Sequence, residues 1–188
     1  KVFGINFYSN DKLALIEKLK NSEQATIVHT PNLQHLSEIY INKILEQAYL
    51  RADIFVCDSR ILKATSVLLV NPIKFCLPGS DLTQLLFENL RGTSEKIMLI
   101  GPETSQVEIL KSKYNCLNIC THDIPHYFLN RTSEIEHCIE LVSRQNPKYL
   151  FIGLGFPKQE ILADALKPHL PSNCTVLCIG ASIDFLTN

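Results

Sequence analysis

The sequence predicts an α/β fold: a Rossmann-like, predominantly parallel sheet with helices on both faces, in a single domain over residues 1–188. Three observations carry this. Short, continuously apolar runs such as ATIVH (25–29), DIFVC (53–57), KIMLIG (96–101) and TVLCI (175–179) alternate with longer segments of helical periodicity. These runs lack the in–out alternation of a half-exposed sheet, so they read as strands covered on both faces. No repeat, linker or low-complexity stretch divides them, and 188 residues suffice for one core.

In chain order, Val2–Tyr8 is a short strand, and Asn10 or Asp11 caps a helix to about Asn21. After the strand 25–29, Thr30 and Pro31 read as N-cap and first residue of one long helix to about Leu50. Its buried stripe would be Leu33, Leu36, Tyr40, Ile44 and Ala48. Asp58 follows the strand 53–57 and starts a helix to about Val70. Asn71–Pro78 is a loop, and Ser80 caps the helix carrying Leu82, Leu85, Leu86 and Leu90. A helix to about Tyr114 follows the strand 96–101. Cys116–Cys120 is the fifth strand and His122–Asn130 a loop. Ser133 with Glu136 makes a capping box for a helix to about Gln145. Tyr149–Leu154 and 175–179 complete seven strands.

Composition narrows the function. Hydrophobic residues make up 46% and charged residues 20%, as in a folded soluble domain. A formal net charge of −1 gives no basic face for nucleic acid. No apolar run approaches the ~20 residues of a spanning helix, and no signal-peptide pattern is visible. The seven cysteines form no Cys-x-x-Cys pair and read as reduced thiols of a cytosolic protein. Cys116/Cys120 and Cys174/Cys178 are each expected to share a strand face. No Asp-x-Asp motif or histidine cluster suits a divalent ion, so no metal and no cofactor is expected.

The most informative stretch is FIGLGFPKQE (151–160). Its apolar run, the glycines Gly153 and Gly155 and then Pro157 read as strand, tight turn and helix start. The N-cap would fall at Gly155 or Phe156, leaving the first N–H groups open to an anion such as a nucleotide phosphate. In α/β sheets ligands bind beyond the carboxyl ends of the strands. Thr30, Asp58, Gly101, His122 and Gly155 all follow strands and can converge on one cleft.

Gly153-Leu154-Gly155-Phe156-Pro157-Lys158-Gln159-Glu160 resembles the signature of the WecG/TagA/CpsF family of bacterial glycosyltransferases. Thr30-Pro31-Asn32, the strand ending in Asp58, Gly79-Ser80-Asp81-Leu82 and Gly180-Ala181-Ser182-Ile183-Asp184-Phe185-Leu186 extend the resemblance, in family order, over nearly the whole chain. The resemblance implies a cytoplasmic enzyme peripheral to the inner face of the plasma membrane. Its donor would be a UDP-linked N-acetylmannosamine or the corresponding uronic acid, and its acceptor a sugar on polyprenyl pyrophosphate. The product would enter a cell-surface polysaccharide.

By the same resemblance Asp58 is the base; by position alone it is a helix N-cap. Thr30, Asn32, Gly153, Gly155, Gln159 and Asp184 would hold the donor, and Arg60, Lys74, Ser80 and His122 would be phosphate or acceptor contacts. Thr30 and Asn32 read equally as a cap and a first-turn residue, and Glu160 as a complement to the helix dipole.

The chain departs from the family pattern in four places. Ser59 replaces a glycine after Asp58, and Cys76 stands where the family has an arginine. Pro125-His126 precedes the aromatic pair Tyr127-Phe128 without the usual glycine. The sequence stops at Asn188, where the family continues into a basic C-terminal segment through which membrane contact would run. This chain is therefore expected to bind anionic vesicles poorly, and a homo-oligomer is compatible with the family. The second reading is a nucleotide-sugar-binding or regulatory module without transfer. A dinucleotide enzyme ranks lower for want of Gly-x-Gly-x-x-Gly.

Overall fold

The computed structural model describes every residue except Lys1, Phe3, Leu117 and His126. Among the described residues six parallel strands form one sheet in the order β2-β1-β6-β5-β3-β4. They are β1 (Thr26–His29), β2 (Ile54–Phe55), β3 (Ile97–Ile100), β4 (Ile119–His122), β5 (Tyr149–Ile152) and β6 (Thr175–Cys178). The four residues of β1, β3, β5 and β6 are all buried, as continuous apolar runs in a doubly covered sheet require.

One face of the sheet is packed by α1 (Lys12–Lys20), α5 (Gly79–Asn89), α6 (Thr104–Tyr114) and α9 (Ser182–Thr187), around Leu15, Phe87, Leu110, Phe151 and Ile183. The other is packed by α7 (Thr132–Gln145) and α8 (Lys158–Leu166), around Ile100, Val142, Leu162 and Val176. A third cluster lies under α2 (Leu33–Ile39), α3 (Lys43–Arg51) and α4 (Arg60–Thr65), with Leu36, Ile39, Leu45, Tyr49 and Leu62.

Several local expectations need correction. The segment 2–8, whose Phe3 lies outside the described residues, pairs only through isolated bridges: Val2 with Ile5, and Phe7 with Phe55. The single helix expected from Pro31 to Leu50 is two. Asn42 restarts it as α3, its Oδ1 accepting from the Ile44 and Leu45 N–H groups at 3.1 Å each. That break rephases the apolar stripe. Leu36, Ile39, Leu45, Ala48 and Tyr49 are buried, whereas Leu33, Tyr40 and Ile44 are exposed.

β4 starts three residues later than expected, after Asn115 ends α6 with a φ of 51°. Cys116 accordingly packs with the α6 face and Cys120 against the opposite one; Leu117 lies outside the described residues. Cys174 and Cys178 do share a face, and all seven thiols are free. Neither Thr30 nor Ser80 is an N-cap: Asn32 caps α2, and α5 begins at Gly79 with Pro78 before it. The capping box expected at Ser133 is absent, because α7 already begins at Thr132 with Arg131 before it. The Pro125–Phe128 stretch includes His126, outside the described residues; Phe128 is fully buried.

The topology opens crevices at the carboxyl edge. β1 leads into α2 and α3, which pack beside α8, whereas β6 leads into α9 on the opposite face. β5 leads into α8 and β3 into α6, again on opposite faces. Neighbouring strands whose connections diverge leave a gap between them, the usual place for a ligand in such sheets.

Candidate active site

Two crevices occupy these gaps. The smaller, about 230 Å³, lies beyond β1 and β6 and is lined by Thr30, Asn32, His35, Asp58, Gly79, Ser80, Phe156, Gln159 and the Ile179–Ser182 turn, among others. The larger, about 390 Å³, lies beyond β3 and β5, with Gly101, Glu103, Asp123, Gly153, Gly155 and Lys158 in its wall. The β5–α8 turn separates them: its glycines face the larger space, while Phe156 and Gln159 face the smaller.

Asp58 lines the smaller crevice. Its Oδ1 accepts the Gly79 N–H at 2.7 Å, so it does cap a helix, but that helix is α5, 21 residues on. The cap of α4 that sequence assigned to Asp58 belongs to Ser59, whose Oγ accepts from the Leu62 N–H at 3.1 Å. Burial raises the Asp58 carboxyl above its ordinary value; the Gly79 N–H opposes this and the charge of Asp81 adds to it. Desolvation therefore outweighs the hydrogen bond, and the carboxylate keeps basicity that capping alone would have removed. A Cβ on Gly79 would come within 3.2 Å of Thr30 Oγ1 and 3.6 Å of Ser182 Oγ, so both hydroxyls lie close to the group that Asp58 holds. Thr30 Oγ1 donates to the Cys178 carbonyl at 3.3 Å, tying the ends of β1 and β6 together.

Part of the wall is aromatic. Phe156 stacks on the His35 ring with centroids 4.1 Å apart and planes within 7°. His35 Nδ1 lies 3.3 Å from the Tyr49 hydroxyl, and burial lowers the imidazole to about 4, so it is neutral at physiological pH. His35 itself is buried.

Gln159 was expected to meet a ligand through an open amide. It lines the crevice, but it is buried and its amide is engaged: Oε1 accepts the Gly180 N–H at 2.8 Å, and Nε2 donates to Glu160 Oε1 at 2.9 Å. Gln159 thus holds the β6–α9 turn in place. Glu160 is fully buried rather than a solvated first-turn acid, and its Oε2 has no hydrogen-bond partner among the described residues. Pro157, not Gly155 or Phe156, is the N-cap residue of α8.

Burial lifts the Glu160 carboxyl to about 7, against the pull of the Gln159 amide and its own N–H. The folded state thus binds this proton more tightly than the unfolded chain. The contribution is complete below the unfolded value near 4.5 and is lost as pH rises through about 7. The expected slope inside that window is at most about 1.4 kcal/mol per pH unit. Glu160→Gln keeps an acceptor for Gln159 and should remove the slope, which urea unfolding at a series of pH values measures. Parallel stability curves for the two proteins would count against it.

Four nominated residues lie elsewhere. Asp184 Oδ1 accepts from Gln106 Nε2 at 2.7 Å, joining α9 to α6. Arg60 is exposed at the start of α4, and Lys74 lines a separate hollow with Val2, Ile5 and Asn71. His122 ends β4 with its ring edge-on to His137 at 5.1 Å, and burial lowers its imidazole. Lys158, Phe156 and Ser182 were not nominated, although the first two stand in the signature stretch and the third in the closing motif.

The sequence profile described as "Glycosyl transferase WecG/TagA/CpsF family" matches residues 1–188. Among curated proteins the chain is similar to the N-acetylglucosaminyldiphosphoundecaprenol N-acetyl-beta-D-mannosaminyltransferases of Staphylococcus aureus strains NCTC 8325 / PS 47 and COL. Each is 26% identical over 172 residues, covering 85% of this chain and 64% of the relative. The chain therefore spans a little under two thirds of their length. With the profile matched from end to end, the chain belongs to the WecG/TagA/CpsF family of glycosyl transferases.

Proposed function

We propose that this chain carries the sugar-transfer centre of a glycosyltransferase that moves an N-acetylmannosamine-type sugar from a UDP-sugar to a sugar on polyprenyl pyrophosphate. The relatives' names supply the sugar and the lipid-linked acceptor. The observation that supports the reading is the pairing of two crevices across the β5–α8 turn, with the half-buried carboxylate of Asp58 in the smaller one. The larger, about 390 Å³, is within the usual range for small-molecule pockets, and the smaller, about 230 Å³, is below it. An extended ligand suits the pair. Its nucleotide lies against Gly153, Gly155 and Lys158, and its sugar reaches toward Thr30, Asn32 and Asp58.

The reaction is a single displacement with inversion. Asp58 takes the proton of the acceptor hydroxyl as that oxygen bonds to the anomeric carbon and the bond to the UDP oxygen breaks. The negative charge departs on UDP, near Lys158. Holding donor and acceptor hydroxyl in one geometry supplies the rest of the rate. A binding module without transfer is the competing reading, motivated by Ser59 and Cys76.

UDP is expected to bind, and Gln159→Ala to weaken it by releasing the Gly180 turn. The lost acceptor leaves that N–H unpaired, at a stability cost of about 1–3 kcal/mol, so calorimetry should be paired with thermal melting. No heat of binding at roughly millimolar UDP with folded protein sinks the nucleotide reading. Transfer of labelled sugar to an intact lipid acceptor separates enzyme from binding module.

A further inference from the structure

We infer that the segment from Arg60 to Lys74 is a membrane-docking surface, which sets an apolar tip between the headgroups of an anionic lipid bilayer. Val67, Leu68, Leu69 and Val70 follow α4 as four consecutive apolar residues, and they are 68%, 89%, 43% and 97% exposed. Ile61 on α4 is 68% exposed beside them in sequence. Single exposed apolar residues are ordinary, but a contiguous run marks a surface made to be covered.

The tip is firmly based. Buried Ser66 donates from Oγ to the Lys63 carbonyl at 2.7 Å and accepts the Ile73 N–H at 2.8 Å, bridging the two ends of the loop. Leu62 and Ile73 are buried in the same core cluster on either side. The four residues face outward because their neighbours are anchored inward, so they cannot retreat into the core without breaking that frame.

Charge selects the partner. Residues 59–80 contain three cations, Arg60, Lys63 and Lys74, and no acid, in a chain whose formal net charge is −1. All three are exposed, and none forms an ion pair among the described residues. Apolar side chains flanked by lysine and arginine match the two layers of an anionic membrane surface, acyl boundary below and phosphate above. A second copy fits poorly, because a two-fold contact would set the same cations against each other.

This surface lies within the chain itself, so it replaces the expectation of poor binding to anionic vesicles, which rested on a C-terminal segment alone. It is also close to the site: α4 begins two residues after Asp58, and its six residues are about 9 Å long. The inference does not depend on the sugar-transfer reading, since lipid binding is read without any sugar present.

The test is co-sedimentation of the full-length protein with vesicles of equal phosphatidylglycerol and phosphatidylcholine, against phosphatidylcholine alone. Binding should favour the anionic vesicles and fall as salt screens the surface. Leu68→Glu with Val70→Glu should lower it more than tenfold, and Lys63→Gln by roughly fivefold. Melting temperature and UDP binding should be unchanged in the double variant, which shows that its fold is intact. Binding of the double variant at wild-type level overturns the inference, as does wild-type protein that ignores anionic vesicles. Conversion of an oligomer to a monomer by the double variant, without vesicle binding by the wild type, overturns it as well and assigns the face to another copy.

Discussion

Asp58→Asn is expected to lower sugar transfer by ~10²–10⁴-fold, the span that a positioned general base supplies, while UDP affinity and melting temperature stay near wild type. The separation rests on the two jobs of this side chain. One oxygen caps α5 by accepting the Gly79 N–H at 2.7 Å, which an asparagine Oδ1 reproduces. Only the carboxylate can take a proton, and burial has raised its affinity for one. Asp58→Ala removes both functions and should add a stability loss of roughly 0.5–2 kcal/mol from the missing cap. Radiolabelled transfer assays and thermal melts on the two variants give the comparison. An asparagine variant that transfers at the wild-type rate removes Asp58 as base. No transfer by wild-type protein with an intact lipid acceptor favours the binding module.

The largest stability effect outside the hydrophobic core is expected from Gly101→Ala. Gly101 directly follows β3 with a φ of 107°, and a Cβ there would lie 2.7 Å from the Gly153 carbonyl oxygen and 2.9 Å from Leu154 Cδ2. Strained backbone costs about 1–3 kcal/mol and overpacking adds about 1–3 kcal/mol, so the loss should be about 2–6 kcal/mol in urea unfolding. Relief requires the ends of β3 and β5 to part, which deforms the larger crevice between them. Gly155→Ala is the control. Among the described residues nothing lies within 4 Å of its Cβ, and its φ is not positive, so stability should change by less than about 1 kcal/mol. If its methyl enters the space proposed for the nucleotide, UDP affinity should nevertheless fall. Equal stability of the two variants would mean that the strand ends yield freely.

Patterning along the chain determined the architecture. Apolar runs of four to six residues alternating with helical segments require a parallel sheet covered on both faces, because no other arrangement buries them. The same logic, with the turn residues after each strand, put Thr30, Asp58, Gly101, His122 and Gly155 in one cleft at the carboxyl edge; the structure divides them between two crevices, Thr30 and Asp58 in one and Gly101 and Gly155 in the other, with His122 lining neither. Signals that act over a few residues were readable too, as with Asp11, whose carboxylate caps α1. Where two local signals competed, the reading failed: Asn42 restarts a helix that a continuous stripe disguised.

The tertiary structure alone decided what each side chain at that edge does. Asp58 caps a helix 21 residues away, Gln159 holds a turn 21 residues away, and Glu160 loses all contact with water. Each depends on a partner brought in by another strand connection, and spacing within one segment carries no record of such a partner. Burial has the same origin. A carboxylate in the first turn of a helix looks solvated in sequence, and only the packing of α8 against the sheet and α3 makes it a buried acid held near 7. The outward tip at Val67–Val70 was hidden for the converse reason: the sequence places it at the end of a helix to about Val70, and only the buried anchors beside it, Leu62, Ser66 and Ile73, turn it outward.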